Sequence, residues 1–220
     1  MARPRASNYD DKRRAILERS AELFSEYGYD RASMNSIAAA CGVSKANLYH
    51  YYADKDELLF DVIRTHLEAL RAVVQAAQRP EFAPDVQLRE LVAALLEAYR
   101  DADAQHNVQI SSLRFLSGER QAALKDIERE LVRMFSDAVA AVAPQLNHTP
   151  LLKLVTMSLF GMVNWHYLWF SEQGSVSRAD YAELVTRLIA DGSRDLLARA
   201  PSMTAHTRDP GSAAGVSHDA

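Results

Sequence analysis

The sequence predicts an all-α protein, and three observations carry that expectation. Apolar residues recur with a period near 3.6 in segment after segment, and no stretch alternates as a strand would. The eight glycines and seven prolines fall mainly between those segments. Residues that cap helices stand where the segments begin.

Taken in order, a first helix carries Ile16, Ser20, Leu23, Phe24 and Tyr27 on one face and stops at Gly28. Ser33 caps a short second helix to about Ala40, Gly42 turns the chain, and Ser44 opens a third helix. Asp54 and Glu57 have capping-box spacing ahead of a fourth helix, Leu58 to Ala77. Pro80 and Pro84 mark a break, followed by helical patterns at about 85 to 103, 105 to 117 and 119 to 142. Thr149 and Pro150 start a very apolar helix that is expected to end near Phe170. Ser177 with Asp180 caps a last helix to about Arg199, and the small, polar residues 201–220 read as a disordered tail.

Composition narrows the function. With 48% hydrophobic and 25% charged residues over 220 positions, the chain reads as soluble and globular, and its net charge of −4 means that any nucleic-acid contact must come from a local patch. The single cysteine, Cys41, rules out an internal disulfide framework and favours a reducing cytoplasm; it is expected to be a small buried hydrophobe. No signal peptide is expected at Met1 to Asp10. The apolar run Leu151 to Phe170 is interrupted by Lys153, Asn164 and His166, so no membrane span is expected. Enzyme signatures are missing: there is no phosphate-binding loop, dinucleotide fingerprint, zinc-protease helix or nucleophile elbow. His66-Leu67-Glu68 has the outline of a deaminase pattern but lacks the partner cysteines. No cofactor and no metal site are expected.

The segment "CGVSKANLYHYYADKDEL", residues 41 to 58, carries the chemistry. Gly42 suits the turn of a helix-turn-helix, with Ile37, Ala38, Cys41, Val43 and Leu48 as the small core between its helices. Ser44, Lys45, Asn47, Tyr49 and His50 then lie on the outer, N-terminal part of the second helix, the part that enters a DNA major groove. Lysine donates to guanine, asparagine pairs with adenine, and hydroxyls reach phosphates. Lys55 on the next helix and Ser33 on the preceding one could meet the same backbone, and no acidic residue occurs from Ser33 to Ala53. Tyr52 is expected to pack inside; for Tyr51, packing and contact both stay open.

This region, "ILERSAELFSEYGYDRASMNSIAAACGVSKANLYHYYADKDELL", resembles the TetR family of transcriptional regulators. The resemblance implies a homodimer of all-helical subunits: an N-terminal DNA-binding domain over about 10–70, with the motif at about 33–52, and a ligand-binding and dimerisation domain over 71–200. It implies a palindromic double-stranded DNA operator and a small-molecule inducer. By the family's pattern Ser33, Tyr49, Tyr51 and Lys55 hold phosphates, while Asn35, Ser44, Lys45, Asn47 and His50 read bases. Cys41 stands where family members commonly carry alanine. Ser158 to Gly192 looks like the end of a subgroup that responds to acyl-CoA thioesters, and "LLEAYRDADAQH" is similar to repressors of phenylacetate catabolism. A repressor released by an aryl- or acyl-CoA such as phenylacetyl-CoA is therefore expected. The alternatives are another hydrophobic inducer, or an all-helical enzyme or binding protein without DNA activity.

For the ligand, Gly161, Asn164, Trp165, Tyr167 and Trp169 combine aromatic area with polar handles, although aromatics at helical spacing also serve as core or interface. Arg114 lies among apolar residues and needs an anionic partner, either a ligand or an acid such as Glu97. Tyr99, His106 and Gln109 complete the candidates. The dimer is expected on the last two helices, with Tyr181, Leu184, Leu188 and Leu196 facing the partner.

Overall fold

Why the chain folds as it does is clearest at its turns. Gly28 and Gly42 adopt φ of +83° and +65°, where a side chain would be strained, and each ends a helix so that the next departs at a new angle. The computed structural model describes residues 4–194 and 196. The tail at 201–220 and the last helix's end at Arg199 lie outside the described residues.

Nine α-helices follow in order among the described residues: α1 (Pro4–Tyr27), α2 (Met34–Ala40), α3 (Lys45–Tyr51), α4 (Lys55–Ala76), α5 (Pro84–Ala98), α6 (Asp103–Ser112), α7 (Gly118–Val142), α8 (Pro150–Asn164) and α9 (Arg178–Arg194). Short 3-10 turns occupy Leu113–Phe115, Pro144–Leu146 and His166–Leu168. Helices α1 to α3 form a small N-terminal head. Helix α4 joins it to a body of α5, α7, α8 and α9, and α6 lies across α1 and α4. One continuous apolar core runs from Ile16 and Phe24 through Leu58, Leu67 and Leu95 to Phe135 and Ile189. Helix α4 passes unbroken through the expected boundary near residue 70. No helix among the described residues is long and apolar enough to cross a membrane.

The caps behave largely as their residue types dictate. Ser33 and Ser36 bond each other's backbone N–H, Ser44 Oγ accepts from Asn47 N, and Asp54 Oδ1 accepts from Glu57 N at 2.7 Å. Glu57 reaches back to Ala53 N, and Ser177 and Asp180 bond reciprocally. Thr149 departs from expectation: its hydroxyl donates back to Leu146 O, leaving the N-terminus of α8 without a side-chain cap.

Four local expectations change. Helix α8 stops at Asn164, not near Phe170, because His106 Nε2 and Tyr99 Oη bond the Asn164 main-chain and side-chain oxygens, and the chain then tightens into the 3-10 turn. Helix α5 ends at Ala98, with Asp101 at φ +60°, so the pattern that ran to residue 103 splits there. Tyr27 is exposed although its helical neighbours Ser20 and Phe24 are buried, because α1 ends at that residue. Cys41 is only half-buried at the C-cap of α2, and that burial raises its thiol pKa.

Candidate functional site

The head presents its expected face. Ser33, Asn35, Ser44, Lys45, Asn47, Tyr49 and His50 are all exposed, while Ile37, Ala38 and Leu48 beneath them are buried. Capping by Ser44 fixes the start of α3, so the donors of its first turns point outward together. Lys45 Nζ lies 5.7 Å from the Tyr49 ring centre, a cation–π contact that leaves both groups on the surface. Tyr51 packs in part: its ring is half-buried and stacks on Tyr9 of α1 with centroids 4.7 Å apart. Tyr52 is buried, as its position on the helix requires.

Lys55 sits where the sequence placed it, but its ammonium is already engaged. Nζ donates to the carbonyls of Tyr29 (2.8 Å) and Ala32 (3.1 Å) and lies 4.1 Å from the Tyr29 ring centre. It therefore ties the α1–α2 loop to α4, and only one of its three donors remains for a phosphate. Lys55→Met should lower stability by about 2 kcal/mol, the scale of charge-assisted hydrogen bonds, and change the salt slope of DNA binding by less than the ~0.9 of a full phosphate contact. Thermal melting and a salt titration read the two effects separately.

Beneath this face lies a group the sequence reading missed. Asp61 of α4 is buried and accepts hydrogen bonds from Tyr52 Oη (2.7 Å), Arg64 Nη2 (2.8 Å) and Arg13 Nη2, tying α1, the end of α3 and α4 together. Burial alone would raise its pKa; the bonds from Tyr52 and Arg64 and the charge of Arg13 outweigh that and hold it below the usual carboxylate range. The signal was an aspartate on the apolar stripe of Leu58, Val62 and Leu67.

In the body the ligand candidates divide. Tyr99, His106 and Asn164 meet inside: Tyr99 Oη donates to Asn164 Oδ1 at 2.8 Å, and His106 Nε2 bonds the Asn164 carbonyl at 3.0 Å. Because a carbonyl only accepts, His106 Nε2 carries the proton and Nδ1 is a bare acceptor. His66, His166 and Tyr167 surround the pair, with ring centres 5.4–6.3 Å away. Burial drives the His66 pKa down to about 3, with the neighbouring His106 adding to it, and lowers His106 and His166 as well. The cluster is thus neutral at ordinary pH. Gln109, three residues after His106 on α6, turns to α7, its amide nitrogen donating to Glu128 Oε1 at 2.9 Å.

Trp165 and Trp169 lie outside its buried centre: they are 49% and 59% exposed, because α8 ends before them, with Trp165 stacked on Tyr167 and Trp169 against Tyr181. Arg114 is a clear correction: it is exposed on the 3-10 turn with its guanidinium over Phe115, so it needs no buried anion, and Glu97 pairs with Arg100 instead. The arginine that does face the cluster is Arg178. Its side chain is only 13% exposed, and Nη1 donates to His166 Nε2 (2.6 Å) and the Leu96 carbonyl (3.0 Å). Together with Arg100, Asp101, Asp103, His166, Tyr167, Phe170 and Glu172 it lines a cavity of about 280 Å³, in which Glu172 pairs with both arginines. Nothing in the sequence separated Arg178 from the other arginines, since its partners lie on α5 and on the turn after α8.

The surface of α8 and α9 carries a further apolar set: Leu184 and Leu188 are 51% and 55% exposed, and Leu154, Met157 and Leu168 are also open. Tyr181 is not among them; it is buried, its hydroxyl donating to the Met162 carbonyl.

Comparison with known proteins fits this geometry. Residues 16–62 match the family model for bacterial regulatory proteins of the tetR family, and residues 81–193 match a tetracyclin repressor-like C-terminal domain. The regulator RutR of Escherichia coli is 27% identical over 175 residues, covering 80% of this chain and 78% of its own. HbdR of Aromatoleum is 25% identical over 214 residues, 91% of each chain. Among solved structures, a TetR-family regulator from Bordetella parapertussis is 33% identical with a TM-score of 0.76, covering 81% of this chain and 94% of that one. AibR in complex with isovaleryl coenzyme A and operator DNA is 27% identical with a TM-score of 0.70, covering 80% and 97%. These matches span both the head and the body, and the chain belongs to the TetR family of bacterial transcriptional regulators.

Proposed function

We propose that the chain acts as a homodimeric repressor that binds a palindromic operator through α3 and releases it when an aryl- or acyl-CoA thioester enters the body. The observation that carries the DNA-binding part is the exposed, acid-free donor face of Ser44 to His50, set by the Gly42 turn on a chain of net charge −4. Two such faces in a two-fold dimer would lie about one DNA turn apart, roughly 34 Å. In this reading Lys45 and Asn47 read bases, while Ser33, Tyr49 and the remaining donor of Lys55 meet phosphates. Lys45→Ala is expected to relax preference at one or two base positions, costing about 1–3 kcal/mol of discrimination there. Selection from a randomised duplex pool measures it; an unchanged consensus would remove Lys45 from the readers.

For the inducer, the packed rings of Tyr99, His106 and Tyr167 would part to admit an apolar group. An anionic end would sit in the adjacent cavity only by drawing Arg100 and Arg178 away from Glu172, beside Asp101 and Asp103. The AibR complex supports a thioester as the ligand class, with phenylacetyl-CoA as the first choice. Release requires tighter binding to a conformation whose two α3 helices no longer match the groove, since equal affinity for both states shifts nothing. Another hydrophobic inducer remains the second reading, favoured if the neutral cluster alone defines the site.

A further inference from the structure

On the far side of His66 from that cluster's centre, a second cavity opens between α1 and α4, beside α5 and the start of α6. It measures about 370 Å³, within the range of pockets that bury small ligands. Leu17 of α1 and Val62, Leu70 and Val73 of α4 form apolar walls, and Ala98 closes one side. His66, Thr65 and Gln105 add polar groups, and the exposed Arg14 and Glu18, of opposite charge, stand at the rim. His66 is more than nine-tenths buried, and its Nε2 has no hydrogen-bond partner among the described residues. An unsatisfied buried polar atom costs about 1–3 kcal/mol, a cost that leucine at the same place on α4 would avoid. With its pKa pushed down to about 3, the ring stays neutral and offers one donor and one acceptor, and the opposite charges of Arg14 and Glu18 at the rim leave the cleft without net charge.

We propose that this cleft is a binding site for a small neutral molecule, mostly apolar and carrying one hydrogen-bonding group that meets the His66 imidazole. The site touches α1, α4, α5 and the start of α6 at once, so its occupant wedges the joint between head and body. It provides an input to DNA affinity distinct from the cavity beside Arg178, although His66 borders both the cleft and the aromatic cluster, and it stands whether or not a thioester binds there.

Four bicyclic probes test it: indole, which donates; isoquinoline, which accepts; naphthalene, which does neither; and naphthoate, an anion. Binding is followed by the imidazole nitrogen resonances of His66 and by thermal shift, on the full chain. The expected result is saturable binding of indole or isoquinoline with a shift of the His66 resonances, and none for naphthoate. His66→Leu should weaken the bound polar probe at least tenfold while naphthalene is kept or strengthened. Ala69→Phe, on the exposed rim, should weaken all of them. At saturation the polar probe should change affinity for duplex DNA at least threefold. No saturable binding, binding that both substitutions leave untouched, or binding lost with His66→Leu but kept with Ala69→Phe would overturn the site. The last result would put the probe on the His106 side of the ring. A bound probe with no effect on DNA affinity would overturn the coupling.

Discussion

Asp61→Ala is expected to lower the stability of the folded chain by about 3 kcal/mol, which for a chain of this size means roughly 6–12 °C in melting temperature. Arg13 and Arg64 are about a third to two-fifths exposed and can turn to water, so they account for the smaller share. The larger share comes from Tyr52, whose buried hydroxyl loses its acceptor, and from the cavity left on α4. The effect has a defined pH dependence. Asp61 has a lower pKa folded than unfolded, so its contribution is complete above the unfolded aspartate value of about 3.9 and is lost as pH falls through the lower folded value. The stability gap between wild type and Asp61→Ala should hold constant from about pH 5 to 7 and close in stronger acid. A gap that widened on acidification would mean that Asp61 is not held as a carboxylate by its three partners.

The second large effect concerns the α8–α9 surface. Leu184→Glu with Leu188→Glu is expected to turn the proposed dimer into a monomer and to weaken binding to a palindromic site at least a hundredfold. Each leucine buried at an interface is worth about 1.5–3 kcal/mol, and two-fold symmetry counts each substitution twice while bringing four carboxylates together. Linking two reading heads multiplies affinity by about 10²–10⁴, which the monomer forfeits. Sedimentation and DNA titration read the two consequences. A double variant that stays dimeric would move the interface elsewhere; a wild type that is monomeric at micromolar concentration would remove the dimer from the account.

Local chemistry was legible in the sequence wherever a residue acts on its own backbone or its near neighbours. Ser33, Ser44, Asp54 and Ser177 cap the helices expected of them, and Gly28 and Gly42 turn where a positive φ is needed. The reading face followed because its residues lie within one helix and one turn. What escaped depends on contacts between distant segments. Helix α8 ends early because Tyr99 and His106, about sixty residues upstream, bond Asn164, and that early end moves Trp165 and Trp169 to the surface. Lys55 looked free until the carbonyls of Tyr29 and Ala32 turned toward it. Arg114 looked buried only while its segment was taken as a continuous helix, and Arg178 gained its role from partners on two other elements.

The most direct measurement is a titration of the full chain against its selected operator with phenylacetyl-CoA, isovaleryl-CoA, free phenylacetate and CoA alone. The account predicts that wild-type protein binds a palindromic duplex and that at least one thioester weakens the complex about a hundredfold, a coupling of about 2.7 kcal/mol. Free acid and CoA alone should do little, and Arg178→Ala should blunt the response without altering binding in the absence of ligand. If no thioester shifts the curve while an unrelated hydrophobic compound does, the acyl-CoA reading is contradicted and the regulator answers to a different inducer. If the chain enriches no duplex sequence at all, the DNA-binding assignment of α3 falls with it.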